Sequence, residues 1–195
     1  LMAEYGMSED NLNFFLLKEF EQDGFEIGNH TFSHPILTNL SEEQIKYDIL
    51  KMNDILQNYG VKQISSFCYP AYNTNAIVAE VIKKLGFTHA RTGYDYYDSD
   101  WSRWDLKEKP SVARKKITYP DDCENKWLIR PKGIFNYLYR YENFLDDFNN
   151  MNYNETAVFV FHGLKEKSLK EDFKKVVSFI SKEKSATSVN FRDIK

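Results

Sequence analysis

The sequence predicts an α/β fold with parallel strands, and three observations support this prediction. Stretches with apolar residues at helical spacing alternate with short apolar runs that are typical of strands. Glycine follows several of the helical stretches, where it suits a helix end. Histidines and a proline turn come directly after strand candidates, as expected where parallel strands present a site at their carboxyl ends. We therefore expect strands joined by crossover helices.

Three helices are predicted in the first half of the chain. Ser8 suits the N-cap of the first helix. A capping box formed by Ser41 and Gln44 opens the second, and the third begins near Thr74. The glycines that suit the three helix ends are Gly24, Gly60 and Gly86. The strands predicted between and after these helices are FEIG at 25–28, ISSFCY at 64–69 and FTHAR at 87–91.

Residues 92–131 lack a regular period and predict a long irregular insertion, with one strand near Ile117. Connections of this length are usually functional loops or insertions. Its aromatic residues either line a substrate groove or belong to a surface flap packed on the domain. The aromatic residues in question are Tyr94, Tyr96, Tyr97, Trp101 and Trp104.

The remainder of the chain predicts two helices and two strands. Apolar spacing between 137 and 148 predicts a helix, and AVFVF at 157–161 predicts a buried strand. A capping box formed by Ser168 and Glu171 opens the last helix, and TSVNF at 187–191 is the last predicted strand. Five strands are too few to close a (β/α) barrel, and the chain begins with a helix. We therefore expect the first strand upstream of this sequence.

Composition limits the class of protein. The 195 residues carry a formal charge of −3 and are 42% hydrophobic, which suits a single domain over 1–195 with a sizeable core. No basic block favours a nucleic-acid partner. No apolar run reaches the roughly 18 residues of a membrane span. No signal peptide is visible, and the opening LMAEYGMSED reads as part of a longer chain.

The abundant aromatic residues and the two cysteines allow more than one interpretation. Fifteen Phe, thirteen Tyr and three Trp serve a core first, and a sugar-binding cleft second. Cys68 and Cys123 fit no CxxC metal spacing. Two unpaired thiols are favoured, although the fold could bring the two together.

Three of the four histidines follow predicted strands. His30 and His34, four positions apart, come after the first strand, and His162 comes after AVFVF. Two imidazoles at this spacing can bind one divalent metal through neutral nitrogens, or can be structural. A hydrolytic site would need a third ligand, usually a carboxylate, and His162 is placed to donate a proton. His89 lies inside a strand and is interpreted as structural.

Four segments in order resemble the polysaccharide deacetylase family, also called the NodB homology or carbohydrate esterase 4 group. Residues 23–49 contain an H-[ST]-x-x-H stretch, and residues 67–75 (FCYPAYNTN) contain a strand end that closes on a proline turn. Residues 86–95 (GFTHARTGYD) resemble the segment that usually follows. Residues 158–163 (VFVFHG) resemble the last motif, in which an apolar strand ends in the catalytic histidine.

The resemblance implies a distorted (β/α) barrel, a metal and an acid. His30 and His34 would be metal ligands for Zn²⁺, or for another divalent ion such as Co²⁺ or Ni²⁺, and His162 would be the catalytic acid. The family's opening T-F-D-D-G motif supplies the base and the third ligand, an Asp. It does not occur in this sequence, so we expect it upstream of Leu1, together with the N-terminal strands missing from this chain.

The other implied site residues follow the second and third motifs. Thr31 would hydrogen-bond near the metal, and the backbone N–H of Ala71 would help to bind an oxyanion. Ala71 stands where the family has an aromatic residue, and Tyr72 would supply that ring. Cys68 stands where many members carry an Arg that orients the base, and Arg91 is the candidate substitute.

Three interpretations of function follow. The first is metal-dependent hydrolysis of acetyl groups from a polysaccharide, with N-acetyl groups as the first expectation and O-acetyl groups as the second. The second is a catalytically inactive, glycan-binding relative, which Cys68 and the missing motif support. The third is an α/β protein whose histidines are structural. The resemblance implies an acetylated glycan as partner and an extracellular or cell-envelope location.

Overall fold

A computed structural model describes residues 15–92, 129, 131–135, 138–152, 155–161, 166–190 and 193. These residues fall into two compact units, the first built mainly from residues 15–92 and the second mainly from residues 131–189. The domain predicted over 1–195 stays a prediction, and its insertion lies mostly outside the described residues.

The first unit contains the alternating helices and strands that the sequence predicts. Helix α1 is Phe15–Gln22, helix α2 is Glu42–Asn58 and helix α3 is Ala76–Lys84. Strand β1 is Ser66–Cys68 and strand β2 is His89–Arg91. Two 3₁₀ turns, Leu37–Asn39 and Pro70–Tyr72, lie before α2 and after β1.

The strands of the first unit are parallel, as predicted. Strand β1 pairs with β2 so that Cys68 lies opposite Arg91, and α3 forms the crossover between them. Single bridges extend this ladder on both sides, from Asn29 to Phe67 and from Arg91 to Ile129. The strand predicted at 25–28 is therefore reduced to the bridge at Asn29.

Apolar faces of α2 and α3 cover the β1–β2 ladder and form the core of this unit. Its fully buried side chains include those of Ile45, Ile49, Phe67, Tyr69, Val78, Val81 and Ile82. The aromatic members interlock, since the ring of Phe67 lies edge-on to both Tyr69 and Phe87, at 5.3 and 5.4 Å between centroids.

The predicted capping box of α2 and the glycines predicted at the ends of α1, α2 and α3 are confirmed, and the predicted N-cap Ser8 lies outside the described residues. The Ser41 hydroxyl accepts from the Gln44 backbone N–H at 3.3 Å, and the Gln44 side chain accepts from the Ser41 N–H at 2.9 Å. Glycines follow the helices in the left-handed region, which only glycine adopts at no steric cost. Their φ values are 93° at Gly24, 89° at Gly60 and 88° at Gly86.

The second unit is a smaller parallel ladder with two helices. Strand β3 (Gly133–Phe135) pairs with β4 (Phe159–Phe161), and helices α4 (Tyr141–Asn149) and α5 (Lys167–Lys182) contribute the remaining core residues. Rings of Phe135 and Phe161 stack at 3.8 Å between centroids. Phe144 on α4 is fully buried against them.

Four details of the second half differ from prediction. Strand β3 is missed, because a three-residue run is too short for periodicity to resolve. Strand β4 is half-buried rather than buried. Helix α5 begins at Lys167, so Ser168 lies inside the helix and does not cap it. Residues 187–190 form no strand, and Val189 is exposed, so no apolar face there drives pairing.

Closure of a barrel is not seen among the described strands, which form two separate two-stranded parallel ladders. The coarser α/β prediction is confirmed. Within the same residues, none of the helices has the length and apolar character needed to cross a membrane.

The capping box of α2 gives a first testable prediction. Replacing Ser41 by Ala removes the acceptor for the Gln44 N–H and should lower the free energy of unfolding by about 1 kcal/mol. Ser41→Asp, which keeps an acceptor, should leave stability near that of the parent protein. Urea unfolding measures both. Identical midpoints for the Ala and parent proteins would show that the cap contributes nothing.

Candidate metal-binding and catalytic site

The loop that follows Asn29 brings the two predicted metal ligands together. The rings of His30 and His34 lie edge to face, with centroids 4.8 Å apart and planes at 81°. The structure therefore places two imidazoles side by side at the C-terminal side of the parallel ladder, next to the end of β1.

The backbone of this loop adopts an unusual conformation. Thr31 and His34 have φ values of 63° and 54°, in the left-handed region that non-glycine residues rarely adopt. The hydroxyl of Thr31, which is fully buried, accepts a hydrogen bond from the His34 backbone N–H at 3.1 Å. This bond spans the loop and ties the second histidine back to the residue after the first.

Asn29 fastens the start of the loop to helix α2. Its amide nitrogen donates to the Ile49 carbonyl at 3.0 Å and to Asn53 Oδ1 at 2.7 Å. Its amide oxygen accepts from the Thr31 backbone N–H at 2.7 Å. Asn29 is completely buried, so these bonds satisfy an amide that water cannot reach.

Asp48 of α2 fastens the middle of the same loop. One carboxylate oxygen accepts from the backbone N–H groups of Phe32 and Ser33, at 3.0 and 3.2 Å. The other accepts from the Ser33 hydroxyl at 2.7 Å. The two residues that separate Thr31 from His34 are thus bound to one buried carboxylate.

The protonation state of His30 follows from its surroundings. Burial lowers the pKa of His30 from 6.5 to about 4, and the Cys68 carbonyl, which favours the charged form, only partly opposes this. His30 Nδ1 lies 2.7 Å from that carbonyl oxygen. A carbonyl can only accept, so Nδ1 carries the proton and Nε2 keeps its lone pair.

This arrangement fits a divalent metal as part of a ligand set. Metal-binding histidines commonly donate their second ring N–H to a carbonyl, which fixes the tautomer and orients the ring. His30 has that pattern, and His34 lies beside it. No group of three or more His, Cys, Asp or Glu side chains that could hold a metal occurs in the part of the chain that the structure describes. A third ligand would have to come from elsewhere.

The turn after β1 carries the predicted oxyanion donor. Ala71 and Tyr72 have φ values of 51° and 58°, and the Tyr72 carbonyl accepts from the Thr92 hydroxyl at 2.9 Å. Tyr72 N–H donates to Tyr69 O. Among the described residues, no hydrogen bond from the Ala71 N–H occurs outside the turn itself.

Arg91 lies beside Cys68, as the parallel register requires. Its guanidinium Nη2 donates to Cys68 Sγ, and its Cζ lies 5.4 Å from the centre of the Tyr72 ring. Burial raises the pKa of the Cys68 thiol, and the Arg91 charge partly offsets this effect. Cys68 is a free thiol. A guanidinium from β2 therefore occupies the neighbourhood of the side chain at position 68.

Several predicted residues lie outside the described part of the chain. They are His162, Cys123, the strand near Ile117, and the aromatic residues Tyr94, Tyr96, Tyr97, Trp101 and Trp104. Their roles stay predictions. His89, predicted to be structural, is buried within β2, with Nδ1 2.9 Å from the Thr88 hydroxyl.

The sequence analysis does not identify three polar residues that hold the histidine loop, which are Asn29, Asp48 and Asn53. A signal exists for Asp48, which lies three residues after Ile45 and four before Met52, on the apolar face of α2. A carboxylate on a buried face is rare unless it is paired. Neither Asn29 nor Asn53 interrupts the apolar spacing of its segment, so the sequence gives no signal for them. Only the fold brings the two side chains together.

Comparison with known proteins agrees with this geometry. Residues 11–90, which include the histidine loop, the Ala71 turn and His89, match the sequence profile of the family described as polysaccharide deacetylase. Over this segment the chain matches the polysaccharide deacetylase family. The family prediction is therefore confirmed for this segment, which contains the first two motifs and residues 86–90 of the third, while residues 158–163 lie outside it.

A curated relative is similar to part of this chain. A peptidoglycan-N-acetylglucosamine deacetylase from Bacillus cereus is 30% identical over 90 residues, which are 46% of this chain and 42% of that protein. The chain thus spans about two fifths of the length of this curated relative.

Two solved structures share the fold. A family 4 carbohydrate esterase from Streptomyces lividans, in complex with acetate, has a TM-score of 0.56 at 14% identity. The match covers 93% of this chain and 74% of that one. A mutant of a CE4 family pseudoenzyme, with restored enzymatic activity, has a TM-score of 0.50 at 13% identity, covering 86% and 47%. At such identities these likenesses establish the α/β fold alone.

The burial of His30 predicts that the stability of the metal-free protein depends on pH. Between pH 6.5 and about 4 the unfolded state takes up a proton that folded His30 does not, so stability falls as pH falls through this window. Above pH 6.5 neither state is protonated and the effect vanishes. Urea unfolding in chelator at several pH values measures it.

A matched variant isolates this contribution from that of other acid-sensitive groups. In His30→Asn the amide can still donate to the Cys68 carbonyl but cannot titrate. Its stability should therefore fall less steeply below pH 6.5 than that of the parent protein. Parallel curves for the two proteins would mean that His30 titrates alike in both states.

Proposed function

We propose that this chain is part of a metal-dependent hydrolase that removes acetyl groups from a polysaccharide. N-acetyl groups are the first candidate substrate and O-acetyl groups the second. The observation that carries the proposal is the imidazole pair, with His30 oriented by the Cys68 carbonyl, inside the segment that matches the family.

The proposed metal is Zn²⁺, or another divalent ion such as Co²⁺ or Ni²⁺. His30 and His34 would hold it through ring nitrogens, with an Asp from upstream of Leu1 as third ligand. When bound, such an ion supplies a water of lowered pKa and polarises the acetyl carbonyl. The neutral state of His30 favours this, because a protonated imidazole cannot be a ligand.

Other residues of the chain have proposed roles around the acetyl group. The Ala71 N–H would donate to the oxygen that gains negative charge. Tyr72 would contact the sugar, and Arg91 would orient the base. Thr31 would hold the loop through its bond to the His34 N–H. His162 would protonate the departing amine, and the family motif alone supports this.

Substrate, complete fold and location extend the same proposal. The Bacillus cereus relative is named for the N-acetylglucosamine of peptidoglycan, which makes that polymer the first substrate to test. We infer that the complete protein closes the distorted barrel with strands upstream of Leu1. An acetylated cell-envelope polymer as substrate would place the protein outside the cell or in the envelope.

A glycan-binding protein without catalysis is the alternative, and Cys68 favours it. The residue that stands where many family members carry an Arg is a half-buried thiol, and its raised pKa favours the neutral form. The test is acetate release from acetylated glycans by the full-length protein, with metal analysis. Glycan binding without acetate release, in metal-loaded protein, would support the alternative.

Two histidine variants should distinguish a metal ligand from the catalytic acid. His162→Ala should lower kcat by about 10²–10⁴-fold, since a proton donor to the leaving group typically contributes this much. Its metal content should not change. His30→Ala should lose metal and activity together. Atomic absorption and acetate release measure the two effects. Metal loss in His162→Ala would make His162 a ligand, and no change at all would make it structural.

Exchange of Arg91 and Cys68 tests the substitute guanidinium. Arg91→Ala should lower kcat by about 10–100-fold, the usual cost of losing a group that orients site residues. In the double variant Cys68→Arg/Arg91→Cys the guanidinium comes from the neighbouring strand, and activity should recover in part. Activity of Arg91→Ala equal to that of the parent would remove Arg91 from the site.

A further inference from the structure

Asp48 is a charged residue in a position where a charge is costly. It lies on the apolar face of α2, between Ile45 and Ile49, and only 7% of its surface is exposed. A carboxylate taken out of water needs compensation from hydrogen bonds or a cation. No salt bridge to Asp48 occurs within the described part of the chain, so hydrogen bonds provide the compensation.

Among the described residues, the hydrogen-bond donors to this carboxylate all come from the histidine loop. They are the backbone N–H groups of Phe32 and Ser33 and the Ser33 hydroxyl, at 3.0, 3.2 and 2.7 Å. Hydrogen bonds to an ionised acceptor are stronger than those between neutral groups. The buried charge therefore binds the loop to α2 more firmly than a neutral residue would.

The held segment separates the two histidines. Phe32 and Ser33 lie between Thr31 and His34, the two residues with positive φ. Non-glycine residues persist in this region only when the surroundings over-determine the backbone. Asn29 holds the loop before Thr31, and Asp48 holds the backbone of both residues that precede His34. The Phe32 ring also packs on α2, where Lys51 Nζ lies 3.7 Å from its centre.

We propose that Asp48 is a positioning residue for the histidine pair: its carboxylate fixes the backbone of Phe32 and Ser33 and thereby holds the His34 ring beside His30. The proposal rests on the proposed function in one respect, that this pair is the metal-binding pair. The positioning itself is a property of the metal-free protein.

The experiment compares two substitutions that keep the branched, four-atom side chain of Asp48. In Asp48→Asn, the amide oxygen can accept both backbone N–H groups, and the amide nitrogen can donate to the Ser33 hydroxyl. Asp48→Leu keeps this branching, with larger methyl groups, and removes both side-chain acceptors, while the backbone carbonyl of residue 48 still accepts from the Phe32 N–H. Asp54→Asn and Asp54→Leu, at an exposed position of the same helix, are the matched controls.

Two measurements are made on full-length protein whose folding is verified by circular dichroism. The first is the nuclear Overhauser effect between the His30 and His34 ring protons without metal, which rings 4.8 Å apart should give. The second is the Zn²⁺ dissociation constant by calorimetry with a competing chelator. A purely structural role would lower the melting temperature and leave both unchanged in folded protein.

Asp48→Leu should lose the ring-to-ring signal and bind Zn²⁺ about 10–100-fold more weakly, as is typical when a group that orients a ligand is removed. Asp48→Asn and both Asp54 variants should retain the signal and the affinity of the parent protein. Retention of both by folded Asp48→Leu would overturn the proposal, as would equal losses in the Asn and Leu variants.

Two further outcomes also test the proposal. If the parent protein binds no Zn²⁺, the proposed function fails while the ring-to-ring signal still tests Asp48. If Asp48→Leu does not fold, Asp48→Asn must keep the signal, and its loss there would refute positioning by hydrogen-bond geometry.

Discussion

The candidate site depends on the buried amide of Asn29. Its main chain bridges to β1, and its side chain bonds two groups of α2 and the N–H of Thr31. One residue thus connects the sheet, the covering helix and the loop that carries both histidines. Removing its side chain would leave three partners without their bond, each at a cost of roughly 1–3 kcal/mol when buried. The loop geometry is therefore inseparable from the packing of α2 on the sheet.

Sequence patterns predict the helices and strands of this fold but not the contacts between them. Spacing and caps are local, so the Ser41 box and the glycine ends could be predicted correctly. Ser168 satisfied the same pattern and failed, because the pattern does not fix where a helix starts. The run 187–190 alternates like a strand but has no partner, and pairing is a property of the fold.

The site shows the same division between local and long-range information. The HxxxH spacing predicts two neighbouring imidazoles, and the structure brings them together. Their anchors Asp48 and Asn53 lie more than ten residues away, and only tertiary packing connects them to the loop. The sequence predicts Arg91 as the substitute guanidinium because it lies near the end of a strand. The parallel register of β1 and β2 places it opposite Cys68. A guanidinium can therefore reach one region from either of two adjacent strands.

Left-handed backbone at the site has a consequence for attempts to stabilise this protein. All non-glycine residues with positive φ in the described ranges lie in the histidine loop and the turn after β1: Thr31, His34, Ala71 and Tyr72. Such conformations cost about 1–2 kcal/mol per residue. Glycine at position 71 would relieve local strain but would also let the backbone of this turn adopt other conformations. Selection for a higher melting temperature alone would therefore tend to replace these four residues, which hold the backbone of the candidate site in its left-handed conformation.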